Sequence, residues 1–334
     1  MAYSALKRPH SPSPSPNRSP SPTGKRLRTS CGPKSVRFLV LSDTHGSELP
    51  SYPECDVVLH CGDLTEDGSA ASISSALQAL GKSKAELKLA IAGNHEISLD
   101  KEYYLSEGGL EADYLKSRSL VSGPDPEAEK NGVTFLEEGT HEFILKSGAT
   151  FRIFTSQWTP KYGSSAFQYD SGEDRFNPTE LTPKWAKNVG TETSIVPEGI
   201  DIVMTHGPPK YILDDTSDGR SAGCEHLRRA IARTKPRIHC FGHVHGGYGI
   251  QRIEFNSSAK LVSKDEESDA IVTLPKDFIG KNQAKRKGYA SLPPGAAEAF
   301  RTKKQTLIIN AAIMDDSQEP GNAPWIVDLE LPSC

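Results

Sequence analysis

The sequence predicts an α/β domain, and three observations carry that reading. Short apolar runs recur along the chain, and each stops at a turn containing glycine. A helix-compatible segment separates the second run from the third. Each turn also presents aspartate, asparagine or histidine just beyond the apolar residues. Short apolar runs bounded by turn formers suit buried strands better than helices.

The runs follow in order. Val36 to Leu41 ends at Ser42-Asp43-Thr44-His45-Gly46, and Asp56 to His60 ends at Cys61-Gly62-Asp63. Between the second and third runs, Ala70 to Leu80 places Ile73, Leu77 and Leu80 on one helical face, which predicts a strand–helix–strand unit. Leu87 to Ala92 ends at Gly93-Asn94-His95-Glu96. Ile202 to Met204 ends at Thr205-His206-Gly207-Pro208-Pro209, and Ile238 to Phe241 ends at Gly242-His243-Val244-His245-Gly246. Weaker strands are predicted at Glu142–Leu145, Phe151–Phe154, Thr306–Ala311 and Trp325–Leu329. Residues 156–197 hold Trp158, Tyr162, Phe167, Tyr169, Phe176 and Trp185, and read as loop and helix over the site. Residues 260–304 read as a charged surface insertion.

Composition limits what surrounds this core. Residues 1–34 carry seven basic and no acidic side chains, leaving 32 basic and 43 acidic ones, a net charge of −11, on the rest. The repeated Ser-Pro steps from Ser11 to Pro22 offer almost no apolar surface, so 1–34 is expected to be a disordered tail. Those steps suit proline-directed kinases, and Lys25-Arg-Leu-Arg28 suits nuclear import. The remainder, 35–334, reads as one domain. The overall charge of −4 gives no reason to expect a nucleic-acid partner. No run of 18 apolar residues occurs, so no membrane span is expected. The six cysteines form no CxxC pair and no signal-peptide pattern opens the chain. Reduced thiols in a cytoplasmic or nuclear compartment are therefore expected.

In open α/β sheets, sites form outside the carboxyl ends of the strands. Five strand ends can thus bring Asp43, His45, Asp63, Asn94, His206, His243 and His245 around one crevice, with His95 beside Asn94. Oxygen and imidazole donors without thiolate suit manganese, iron or zinc, and suit calcium poorly. Seven ligands are too many for one such ion and enough for two that share a carboxylate. Two divalent ions about 3.5–4 Å apart can stabilise both the attacking and the leaving oxygen of an in-line displacement. A lone Asp-x-His or Gly-Asp is common by chance. Five such turns in order, each after a strand, are not. The other histidines, His10, His60, His141, His226 and His239, read as structural, although His60 and His239 lie close enough to the motifs to support ligands.

The series Asp-x-His, Gly-Asp, Gly-Asn-His-Glu, His-Gly and Gly-His-x-His resembles the calcineurin-like metallophosphoesterase superfamily. Leu39-Val-Leu-Ser-Asp-Thr-His-Gly46, Thr205-His-Gly-Pro-Pro209 and Phe241-Gly-His-Val-His-Gly-Gly-Tyr-Gly249 are similar to its metallophosphoesterase-domain-containing branch, related to class III cyclic-nucleotide phosphodiesterases. The resemblance covers about residues 35–255 and 305–330. It implies a four-layer αββα sandwich of two mixed sheets flanked by helices. It implies Asp43, His45 and His245 on one metal, Asn94, His206 and His243 on the other, and Asp63 between them. His95 would face the scissile phosphate, and Asp63 and His95 would be the catalytic pair. Gly246 departs from the pattern, which often has an acidic residue there.

The expected activity is hydrolysis of phosphate esters by a metal-bridging hydroxide, most of all of nucleotides, cyclic nucleotides or similar small phosphodiesters. Asn94, His95 and Trp158 are the expected substrate contacts. The rival readings are a low-turnover nucleotide-binding or scaffold protein, and a protein phosphatase.

Overall fold

Alternate residues of the first apolar run face opposite ways, and both faces are buried. Val36, Phe38 and Val40 join a core with Ile153, Met204 and Ile309, whereas Leu39 and Leu41 join a second core with Ile73 and Leu77. A strand buried on both faces must lie between two other layers. The computed structural model, which describes residues 32–255, 271–273, 284 and 286–333, places it there.

The strands are β1 Lys34–Leu41, β2 Val57–His60, β3 Leu87–Ala90, β4 Val133–Phe135, β5 Gly139–Ile144, β6 Thr150–Ser156, β7 Ile202–Thr205, β8 Ile238–Phe241, β9 Gly249–Phe255, β10 Ile271–Thr273, β11 Ala290–Ser291, β12 Gln305–Asn310 and β13 Trp325–Leu331. The helices are α1 Ala70–Gly81, α2 Lys101–Ser106, α3 Glu111–Val121, α4 Glu127–Lys130, α5 Glu225–Thr234 and α6 Pro294–Thr302. One sheet has the order β11-β13-β1-β2-β3-β4, and the other β10-β9-β12-β8-β7-β6-β5. Strands β1 to β4 run parallel, as do β6, β7, β8 and β12. Antiparallel β13, β9 and β5 make both sheets mixed.

Between the sheets lie Phe38, Leu59, Leu89, Ile153, Met204, Cys240 and Ile309, all at most 1% exposed. Outside the first sheet, α1 buries Ile73, Leu77 and Leu80. Ser69 starts this helix by accepting from Ser72 N–H at 3.2 Å, a cap worth about 0.5–2 kcal/mol. Outside the second sheet, α5 presses Leu227, Ala230 and Ile231 onto Phe154, Val203 and Phe241. The layers are helix, sheet, sheet, helix, as expected.

Two segments differ from the expectation. Residues 156–197 hold no α-helix, only two-residue strands and one 3-10 turn, Thr179–Leu181. Part of 260–304, expected as an outlying insertion, is woven into the fold. Strand β10 extends the second sheet beside β9, β11 pairs with β13, and α6 buries Ala296 and Phe300. Two buried contacts in nine residues leave little periodicity to read. The Ser-Pro tail and Lys25–Arg28 lie outside the described residues. The first strand begins at Lys34, which pairs with Leu331. No helix among the described residues is long and apolar enough to cross a membrane.

Candidate metal centre

The carboxyl ends of β1, β2 and β3 meet those of β7 and β8, and backbone bonds lock their turns together. Asp43 N–H donates to Gly62 O at 3.0 Å, His45 N–H to Asp63 O at 3.1 Å and Gly242 N–H to His206 O at 3.0 Å. The sheets are joined by a side chain. Both carboxylate oxygens of Asp43 accept from His243 N–H, at 2.9 and 3.0 Å. Asp43, His45, Asp63 and His243 all hold left-handed φ, between 45° and 66°. That conformation costs roughly 1–3 kcal/mol per non-glycine residue, and surroundings this restrictive can maintain it.

Close approach explains two glycines. A Cβ on Gly62, whose φ is +101°, would lie 2.6 Å from His206 Nδ1, and one on Gly242 would overlap the Asp43 carboxylate.

The seven predicted ligands converge. Asp43 Oδ1 lies 3.4 Å from His245 Nε2, and Asp63 Oδ2 lies 3.8 Å from His45 Nε2 and 3.2 Å from His206 Nε2. Asn94 Oδ1 lies 2.9 Å from His206 Nε2 and 2.8 Å from His243 Nδ1. Donors bound 2.0–2.2 Å from one ion lie roughly 3 Å apart at right-angle geometry, so these spacings suit shared ions. Asp43, His45 and His245 form one group that could hold a metal, Asp63, His206 and His243 another, and His45, Asp63 and His95 a third between them.

Neighbours aim the rings. His206 Nδ1 donates to Cys61 O at 2.9 Å, which leaves Nε2 toward Asp63 and Asn94. His45 Nδ1 lies 2.7 Å from the Glu66 carboxylate, which leaves Nε2 inward. His95 Nδ1 donates to Glu66 O at 2.7 Å, and its own N–H donates to Asp63 Oδ1 at 2.8 Å. His60 and His239 do support motif turns. His60 Nε2 pairs with Thr44 Oγ1 at 3.0 Å, and His239 Nε2 with Thr205 Oγ1 at 2.9 Å.

Electrostatics follow from burial and crowding. Burial works against the charged form of Asp63, but His206 and its neighbours hold the carboxyl well below the usual range. Burial likewise opposes charge on His206, and the Asp63 carboxylate outweighs it, pushing the imidazole up to about 9. Burial pushes His243 down to about 4. Glu96 is pushed up to about 7 by burial and by Asp63. Its carboxylate accepts from Asp63 N–H at 3.0 Å, Gly93 N–H at 2.7 Å and Thr65 N–H at 2.9 Å, tying the β2 turn to the β3 turn.

Above the ligands opens a cavity of about 330 Å³, lined by His45, Asp63, Asn94, His95, His243 and His245. Tyr162, Thr216, Ser217, Asp316 and Gln318 are among its other lining residues, with Gly246 beside His245. Trp158, expected as a substrate contact, is not among the lining residues. It packs edge-on to Phe167, with ring centroids 5.7 Å apart, and the Arg175 guanidinium sits 4.5 Å from its ring. Arg175 is fixed there by Glu138 at 2.7 Å, so Trp158 serves the packing of its own layer. Tyr162 takes the exposed place. Tyr162 is 54% exposed, and Arg220 Nη2 donates to its hydroxyl at 2.9 Å. Sequence reasoning missed Glu66, Asp316 and the structural role of Glu96. Only Glu96 carried a signal, its place in Gly93-Asn-His-Glu96.

Two back-to-back mixed sheets with outer helices, and oxygen and imidazole donors gathered at their strand ends, define an α/β protein whose donor clusters suit a dinuclear divalent metal site. The family model described as calcineurin-like phosphoesterase matches residues 36–247, and the chain belongs to that family. It is similar to metallophosphoesterase domain-containing protein 1 of Homo sapiens, 34% identical over 224 residues, which cover 65% of this chain and 63% of that protein. A UPF0046 protein of Caenorhabditis elegans is 31% identical over 239 residues, 67% of this chain and 55% of its own length. A protein of Emericella nidulans named probable rhamnogalacturonate lyase C is 34% identical over 216 residues, 64% of this chain but 17% of that longer protein. The chain therefore spans less than two thirds of each of these relatives.

Proposed function

We propose that this chain is a dinuclear metal-dependent hydrolase of phosphate esters, acting on small phosphodiesters such as nucleotides or cyclic nucleotides. The observation that carries the reading is one buried carboxylate, Asp63, which belongs to two of the three donor groups and lies 3.8 Å from His45 of the other, on the floor of an open cavity. In this reading Asp43, His45 and His245 hold one ion, Asn94, His206 and His243 the other, and Asp63 both. Manganese, iron or zinc bound there supplies Lewis acidity and an activated water.

The remaining work falls to the chain's own side chains. Cys61 O keeps the ring of His206 aimed inward, and the Glu66 carboxylate stands 2.7 Å from His45 Nδ1. The Glu66 carbonyl holds His95 by Nδ1–H, so the doubly protonated ring can donate its Nε2 proton to a phosphoryl or leaving oxygen. The exposed ring of Tyr162 supports a planar base as part of the substrate. A cavity of about 330 Å³ falls within the roughly 300–1,000 Å³ of small-molecule sites.

The test is a panel with Mn²⁺: an aryl phosphodiester, 2′,3′- and 3′,5′-cyclic nucleotides and an aryl phosphomonoester. Turnover of a diester at rates that vanish on chelation is the expected result. Nucleotide binding without turnover of any ester would replace this reading with that of a binding module.

A further inference from the structure

We infer that Asp316 is a charge filter in this cavity, selecting singly charged phosphodiesters over doubly charged phosphomonoesters. The inference rests on the hydrolase reading above. None of the described residues lining the cavity is lysine or arginine, whereas Asp316 adds a carboxylate to the cavity that His95 and His245 also line.

Its position is set by the fold. The loop that carries it leaves the site's own floor, because Ile313 N–H donates to Ser42 O at 2.9 Å and Met314 N–H to Asp43 O at 3.3 Å. Asp315 then closes the turn, its Oδ1 accepting from Ser317 N–H at 2.8 Å and Glu319 N–H at 3.3 Å. The Asp316 carboxylate comes to rest against Gly246, the residue after His245. A Cβ built on Gly246 would lie 2.7 Å from Asp316 Oδ1 and 3.4 Å from its Cγ. Space beside the His245 turn that a side chain at 246 would fill is thus taken by a carboxylate from a distant loop. Gly246 is not among the residues with left-handed φ, so what a side chain there meets is steric: the Asp316 carboxylate first and the Asp215 carbonyl at 3.2 Å.

The physical consequence is a difference of one charge. A phosphodiester carries a single negative charge at pH 7. A phosphomonoester, whose second pKa is about 6, carries close to two. Each additional substrate charge meets repulsion from the Asp316 carboxylate, enough for a preference of about tenfold. Salt weakens such a preference where the wall is open to solvent.

The experiment uses the full chain loaded with Mn²⁺ and compares kcat/KM for an aryl phosphodiester and an aryl phosphomonoester. Asp316→Asn is expected to raise the monoester-to-diester ratio about tenfold, with metal content per chain as in the wild type. The double variant Gly246→Asp, Asp316→Gly moves the carboxylate to the facing position and is expected to return the ratio toward the wild-type value. An unchanged ratio in Asp316→Asn overturns the filter, as does a changed ratio that tracks loss of metal. A wild type inert toward both esters sinks the hydrolase reading instead. Equilibrium binding of a dianionic aryl phosphonate and of its monoanionic ester then reads the filter without turnover, and an unchanged preference in Asp316→Asn overturns it.

Discussion

The floor and the wall of the cavity are built by different means. The floor sits on strand ends. Asp43, Asp63 and His206 are at most 2% exposed, and buried or half-buried hydrogen bonds define each turn. The wall is made of loops. Tyr162 is held through its hydroxyl by Arg220, and its carbonyl accepts from Gln168 Nε2 at 3.2 Å. Asp316 is exposed and placed by local turn bonds. A floor specified by two sheets holds its ligands through contacts the whole fold maintains. A wall made of loops can change without disturbing the sheets, and so suits selectivity more than chemistry.

Four experiments probe that division, from the largest expected effect to the smallest. Asp63→Ala removes the carboxylate at which the ligand groups meet. Metal-dependent turnover should fall to background and metal content should drop, and retained turnover would break the assignment. His95→Gln should cost roughly 10²–10⁴-fold in kcat with nearly full metal content, as expected for a proton donor. Loss of metal in that variant would instead make His95 a ligand. Glu66→Gln weakens the partner of His45, and its carboxylate is largely exposed. Metal affinity should fall about tenfold, the lower end for groups that orient ligands, and titration with the metal alone reads it. Deleting residues 1–31 stops short of Gly32, whose carbonyl accepts from Ser333 Oγ at 2.7 Å, and of β1. Turnover should not change, and a large loss would assign the tail a part in activity.

Much of the floor is legible in the sequence. The runs ending at Asp43, Asp63, Asn94, His206 and His243 matched strands β1, β2, β3, β7 and β8 to within one or two residues. Their apolar side chains had to be buried, and their glycines had to turn. Helix α5 is legible too, with Leu227, Ala230, Ile231 and Thr234 at helical spacing. Trp158 misled because a large aromatic in a loop fits either packing or stacking. The choice was made by the ion pair of Arg175 with Glu138, which joins residues 37 positions apart. Residues 260–304 misled because their charge hid the two buried contacts of α6.

The sequence by itself determined the layered α/β class, the strand ends that carry the site and the chemical kind of its donors. Those features follow from local patterns: apolar runs, turns and the side chains just beyond them. Tertiary structure alone decided which ring nitrogens point inward, that Tyr162 and not Trp158 lines the cavity, and that a carboxylate from position 316 occupies the space beside Gly246. These depend on contacts between residues tens to hundreds of positions apart, and no local pattern records which distant loop reaches the cavity.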